Sequence, residues 1–254
     1  MAYHIEVFSV LEEYMLPRLI DRIPTDERPA VAHIEMQLIE DPTVVSVVFT
    51  EGYTDTIYFF LGFMDGLFNY IDCLIARWYK PSSESCDVYF DYYFGHIVEK
   101  TPRPPATYAQ TVIADEVQLD MWYTNKRLND LRDMMYISAL IHIVMHELGH
   151  HVVGFAQPWM TVHEHRKLEE KVDRWAVERL TEMEGPPMLG ATIALGYVSQ
   201  MERFRQARGV TSFATHPMPR ERAEYAYSIG CVEVSDPLVV EACRMLKDII
   251  DAFE

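Results

Sequence analysis

Cysteine is scarce in this chain: four of 254 residues, at 73, 86, 231 and 243, with no two in a C-x-x-C pair. That number and spacing exclude a disulfide-built scaffold and a thiolate zinc knuckle. The expectation is reduced thiols in a cytoplasmic compartment. Positive charge is also short, with 22 Lys and Arg against 39 Asp and Glu and a formal charge of −17. No basic patch offsets it, so the chain repels phosphate backbones and anionic lipid, and nucleic-acid binding is disfavoured. The amino-terminal residues Met1 to Glu6 lack the basic and apolar stretches of a secretory leader. Internal repeats and low-complexity tracts are missing as well.

What remains is a globular composition, 49% hydrophobic and 24% charged, at a length that allows one large domain or two small ones. The pattern predicts a helix over 5–22, a β-branched strand over 43–50 and an apolar helix over 57–79. The last carries Gly62-x-x-x-Gly66, a spacing that membrane helices use. Asp65, Asn69 and Asp72 recur on one face of it, however, and carboxylates at mid-span cost about 2.5–3.5 kcal/mol each, so a buried helix of a non-membrane core is expected. An aromatic strand over 87–94, a rigid Pro-rich loop at 101–105 and a helix over 107–122 follow. Asn129 or Asp130 is read as the cap of a long helix to about 151–153, stopped by Gly154. Helices are expected at 163–183, 188–208, 219–229 and 236–253. The fold class is therefore α+β and helix-rich. Residues 1–105 are expected to form an amino-terminal region for substrate recognition or regulation, and 106–254 the part that carries chemistry, with one continuous domain as the alternative.

Seven of the ten histidines fall after residue 141. Among them stands His146-Glu147-Leu148-Gly149-His150, an H-E-x-x-H sequence on a predicted helix. Four helical residues turn about 400°, so His146 and His150 project from one side and both reach one zinc ion. Glu147 lies about 100° further round, placed to take a proton from a water at that metal rather than to bind it. Ile141, Val144, Met145, Leu148 and Val152 supply the apolar positions that bury the helix. A third ligand histidine six residues after His150 is excluded, because that position is Ala156.

A glutamate from a second helix is the other route to a three-ligand site. Glu169 and Asp173 are four apart on one face: Glu169 as ligand, Asp173 as acceptor for the free N–H of a ligand histidine. Glu170 is the alternative ligand, without an aspartate at i+4. For His142 a satisfied polar group one turn below the metal is expected, for His151 a wall position, and for His163 and His165 capping or solvent exposure. The amphipathic helix over 236–253 is expected to pack on its own core, with docking onto a second subunit as a homodimer as the alternative.

HELGH followed by E-x-x-x-D about twenty residues later resembles the gluzincins, the thermolysin-like zinc peptidases. Within them, EEKVDRWAVERL is similar to the glutamate helix of compact HtpX-like and IrrE/ImmA-like enzymes, with Val172 in place of the usual alanine. Thr215-His216-Pro217 and Arg222 resemble the T-H-P-x-x-x-x-R segment of HtpX-like peptidases. The resemblance spans about 142–225 and implies a zincin-like core, a Zn2+ cofactor, and hydrolysis of a peptide bond in a protein or peptide substrate such as a repressor. It further implies that His216 or Arg222, and less so Tyr225, stabilises the oxyanion; for Arg222 a structural ion pair is the alternative. The multi-span membrane region of HtpX-like proteins has no counterpart here. A non-catalytic regulatory protein of the same shape, with a structural metal, is the rival reading.

Overall fold

A computed structural model describes residues 2–42, 44, 48–50, 54–79, 95, 126–182, 187–207, 219–231, 235 and 237–251. The strand expected over 87–94, the loop at 101–105, the helix over 107–122 and His216 lie outside the described residues. The expected class, α+β and rich in helix, is the class observed.

The chain opens with α1 (Ala2–Val10), which passes through a π-helical turn at Leu11–Met15 into α2 (Leu16–Arg22). Helical spacing over 5–22 is thus matched, with an irregularity in the middle. Three short strands follow: β1 (Glu35–Ile39), β2 (Val48–Thr50) and β3 (Thr56–Phe60). The sheet order is β1-β3-β2, with β1 parallel and β2 antiparallel to β3. Helical reading from residue 57 is corrected here: 57–60 complete β3, burying Ile57 and Phe59 on one face, and helix α3 (Leu61–Tyr79) begins only afterwards. A short apolar run fits either period, and pairing with β1 and β2 decides it.

Helix α4 (Lys126–Val153) is the spine of the molecule. It begins before the expected cap at 129–130, and Lys126 and Asp130 form an i, i+4 ion pair in its first turn. Met135, Tyr136, Ala139, Leu140, Val144, Met145 and Leu148 are buried along it. Helices α5 (Val162–Thr181) and α6 (Pro187–Ala207) pack on α4, and α7 (Pro219–Gly230) and α8 (Pro237–Asp251) pack on α6 and on each other. One hydrophobic cluster joins all of this, running from Val7 through Phe59 and Leu148 to Ile250. It draws on both 1–105 and 106–254. The amino-terminal region is also tied to α5 by polar contacts, since Glu27 accepts from Trp175 Nε1 at 2.9 Å and from Arg179 at 3.3 Å.

Among the described residues no helix is long and apolar enough to cross a membrane. The apolar face of α8 is turned inward, with Met245, Leu246 and Ile250 buried. Cys231 and Cys243 form a disulfide from the end of α7 to α8, while Cys73 is a buried free thiol. The expectation of reduced thiols is thereby corrected, and with it the support those thiols lent to a cytoplasmic location. Residues 12 apart in sequence show no pairing signal, whereas the packing of α7 on α8 brings them together. Closing a loop of that length stabilises the fold by about 3 kcal/mol in the chain-entropy account.

Candidate metal centre

The site forms where the carboxy-terminal half of α4 meets α5. Close approach there depends on Gly149, inside the H-E-x-x-H sequence. A Cβ at that position would lie 3.0 Å from Val172 Cγ1 and 3.1 Å from Trp175 Cε3. Glycine therefore lets α5 lie close enough for Glu169 to reach the histidines. Thr161 fixes the start of α5 through a capping box, its hydroxyl accepting from the Glu164 amide while the Glu164 carboxylate accepts from the Thr161 amide.

His146 Nε2 lies 3.4 Å from Glu169 Oε2, and His150 Nε2 lies 3.7 Å from Glu169 Oε1. Ligand atoms of all three residues fall within 4.8 Å of one another, and they can hold a metal ion. A tetrahedral zinc with bonds of about 2.0–2.1 Å separates its ligand atoms by about 3.3–3.4 Å, so the fit needs only small side-chain adjustments. The side chain chosen from the glutamate pair is Glu169, which is buried; Glu170 is half exposed and paired with Arg174 at 3.7 Å.

The other face of each imidazole is held from behind. His146 Nδ1 is 2.9 Å from Asp173 Oδ1, and His150 Nδ1 is 3.4 Å from the Gly154 carbonyl. With Nδ1–H donating in both, each Nε2 would offer its lone pair to a cation held between it and Glu169. Gly154 can turn that carbonyl back because its φ of +129° is a glycine conformation. Behind Asp173 stands Arg222 of α7, its Nε and Nη2 donating to Oδ2 and Oδ1, both at 2.7 Å. Of the two alternatives for Arg222, the ion pair is therefore present.

Charge favours a cation. Glu147, Glu169 and Asp173 are buried carboxylates, and the Arg222 guanidinium feels all three. That leaves a formal excess of two negative charges, which a divalent ion matches. Before a cation binds, protonation meets part of it: burial opposes the His146 imidazolium, but Asp173 and Glu169 outweigh that and raise its pKa to about 10. Burial and the neighbouring His146 lower His150 to about 4. Arg222 and His146 outweigh burial at Asp173 and hold it well below the usual carboxylate range.

Other expected positions are mixed. His151 is a half-buried wall residue, its ring edge-on to Phe155 at 4.9 Å. His163 is exposed, and His165 lies 3.3 Å from the Gln157 carbonyl. His142 is buried, with a pKa lowered to about 3 by burial, yet its Nδ1 makes no hydrogen bond among the described residues. The expected satisfied side chain is corrected at that atom: its charged neighbours Asp173, His146 and Arg222 act on the ring without a hydrogen bond to Nδ1. The Tyr225 ring packs beneath the Arg174 guanidinium, 4.4 Å from its centroid. The Gly154 carbonyl was missed in sequence reasoning, although a helix-stopping glycine four residues after a ligand is its signal. Compared with known proteins, the chain matches no family model, no curated protein and no solved structure.

Proposed function

We propose that this protein is a zinc-dependent endopeptidase, with the metal held by His146, His150 and Glu169 and with Glu147 as general base. One observation carries the reading: two histidine Nε2 atoms and one carboxylate converge within 4.8 Å, both histidines being held from behind. Three protein ligands leave one tetrahedral position open, as catalytic rather than structural zinc sites do. A buried glutamate beside the first ligand is superfluous in a structural site and useful in a hydrolytic one.

Bound zinc supplies Lewis acidity toward a peptide carbonyl and toward water. Glu147 takes the proton of the attacking water as its oxygen adds to the carbonyl carbon. The same carboxyl group then returns that proton to the amide nitrogen as the C–N bond breaks. Asp173 fixes the tautomer and orientation of His146, and Arg222 keeps Asp173 ionised. Stabilisation of the developing oxyanion falls to His216 ahead of Arg222, whose guanidinium is already bidentate to Asp173. The substrate is an extended segment of a protein, for which β2, in contact with α4 and at the edge of the sheet among the described residues, offers main-chain hydrogen bonds.

Glu147→Gln tests the assignment. The variant is expected to bind one zinc per chain and to lose peptide cleavage by about 10²–10⁴-fold, measured as new amino-termini across a proteome digest. Cleavage that survives the substitution overturns the general-base role. A wild-type protein that binds zinc and cuts nothing is the regulatory, non-catalytic alternative.

A further inference from the structure

Behind the metal centre a cavity of about 500 Å³ opens between α5 and α7, a size within the roughly 300–1,000 Å³ of small-molecule sites. One wall is a single face of α5, where His163, Arg166, Lys167, Glu170 and Asp173 recur at helical spacing. The facing wall is α7, from Glu221 and Arg222 to Tyr225 and Ser228. None of His146, His150 and Glu169 lines it. His146 turns Nε2 toward Glu169 and Nδ1 toward Asp173. The Asp173–Arg222 pair, and the cavity over it, therefore lie on the far side of that imidazole from the metal.

Charge in this cavity does not follow the formal −17 of the chain. Three of its four carboxylates are engaged by guanidinium groups: Asp173 by Arg222 at 2.7 Å, Glu224 by Arg220 at 2.8 Å and Glu170 by Arg174 at 3.7 Å. Glu221 and Arg166 add one charge of each sign. Lys167 is the excess, with His163 one turn before it, and neither makes a hydrogen bond or ion pair among the described residues. Arg222 supplies a further donor. Its Nε and Nη2 are occupied by Asp173, while Nη1 bonds nothing among the described residues. Only 12% of that side chain is exposed, and the two bonds to Asp173 fix the direction of the third nitrogen. A buried guanidinium and an ammonium over one cavity are the donor types that bind carboxylate and phosphate groups.

We propose that the α5–α7 cavity binds a small organic molecule by its carboxylate or phosphate group, with Arg222 Nη1 and Lys167 as donors and His163 beside them. The volume exceeds what a bare oxyanion fills, so the rest of the ligand lies along the Tyr225 ring, whose position is fixed by the Arg174 guanidinium 4.4 Å from its centroid. This site goes beyond the peptidase reading and does not depend on it, because no metal ligand lines the cavity.

The test is calorimetric titration of the full chain, metal-free and zinc-loaded, with inorganic phosphate and separately with acetate. One anion is expected to bind per chain in both forms, with a Kd of about 1 mM for phosphate. Lys167→Glu is expected to weaken it by about 10-fold or more. The charge-matched Lys171→Glu, at an exposed position of α5 outside the lining, is expected to change it by less than about 2-fold. Both lysines are exposed, so both variants are expected to keep the wild-type Tm. Phosphate binding tighter than acetate by about 10-fold assigns the ligand a phosphate group, and acetate binding as tightly assigns it a carboxylate; either supports the site. No saturable binding of either anion up to about 20 mM overturns it. Equal losses from the two lysine variants overturn it as well, since the anion then reads only diffuse surface charge. Binding confined to the zinc-loaded form puts the anion on the metal and overturns the cavity. In each of these failures the zinc and peptidase assignments stand.

Discussion

Helix α4 carries two buried polar clusters built from nearly the same parts. Toward its amino-terminal end, Arg132, Asp133 and Tyr136 meet Asp65 and Asp72 of α3 and Tyr3 and His4 of α1. Toward its carboxy-terminal end, His146, Glu147 and His150 meet Glu169 and Asp173 of α5 and Arg222 of α7. Each therefore gathers three carboxylates, an arginine and at least one histidine. The first spreads its charges out: Arg132 is 3.8 Å from Asp72 and 3.7 Å from Asp133, His4 is 3.5 Å from Asp65, and Asp133 is 43% exposed to solvent. The second focuses its donor atoms on one point and holds each imidazole from behind. Among the described residues only the second makes a metal-holding group. Convergence, not composition, separates a structural polar cluster from a candidate metal centre.

Removing the convergent carboxylate breaks that contrast most strongly. Glu169→Gln keeps the shape and the packing but removes one formal charge and the anionic ligand. Zinc affinity is expected to fall by more than the roughly 10–100-fold typical of losing an outer hydrogen-bond partner, measured by competition with a chromophoric chelator. Asp72→Asn in the other cluster is expected to leave zinc affinity unchanged. Equal losses from the two substitutions would mean that the clusters are not distinct in kind.

Arg222→Met is next in size. It strands the buried Asp173 carboxylate, a change that costs about 3–5 kcal/mol when one partner of a buried pair is removed. A lowered Tm is expected together with weaker zinc binding, because Asp173 then no longer holds His146 at a fixed charge. Arg222→Lys keeps the charge without the two parallel hydrogen bonds and is expected to recover stability only in part.

Opposite pH behaviour follows from the two clusters. Burial raises Asp72 from an ordinary carboxylate value to about 7, against the opposing pull of Arg132, and its Oδ1 makes no hydrogen bond among the described residues. A folded pKa above the unfolded one gives stability that is full below about pH 4 and lost as pH rises through about 7. Asp72→Asn is expected to flatten that slope and to raise stability at pH 8 by up to about 4 kcal/mol, the worth of a rise from 3.8 to about 7, read by urea denaturation across pH 4–8. Arg132 keeps Asp133 as a partner in the variant. Asp173 has the reverse sign, lowered in the fold, so its contribution holds above about pH 4 and fades only in stronger acid.

How much of this was legible in the sequence follows from the range of each interaction. Helices α5 to α8 and the end of α4 were readable within two or three residues, because apolar spacing, Gly154 and the prolines are local signals; the Thr161 cap of α5 was not read. Glu169 and Asp173 were readable because helical periodicity places i and i+4 together. Of the sheet, β2 falls within the strand expected over 43–50, but β1 and β3 were not readable: they are five residues each, and only their mutual pairing separates them from helix or loop. The Arg222–Asp173 pair joins residues 49 apart, and its direction depends on how α7 packs, which no spacing encodes. The same holds for the Cys231–Cys243 bridge and for the tie of Glu27 to Trp175, 148 residues away.

Gly154 gives the smallest expected effect and the finest probe of what holds a ligand from behind. A Cβ there meets nothing within 4 Å, so space is not the constraint; the φ of +129° is. Gly154→Ala is expected to cost about 1–2 kcal/mol through backbone strain. If relaxation of that strain swings the carbonyl away from His150 Nδ1, zinc affinity falls by up to about 10-fold, while Glu169, Asp173 and the packing of α5 stay as they were. Strain and ligand orientation separate in the measurement: Tm of the metal-free protein reads the first, and chelator competition reads the second. A Tm loss with unchanged zinc affinity would show that His150 is oriented by its stacking on Phe155 rather than by the backbone carbonyl. That result would make the Phe155 ring, 5.8 Å from the His150 imidazole between centroids and 18° from it between planes, and not the helix stop, the back support of this ligand.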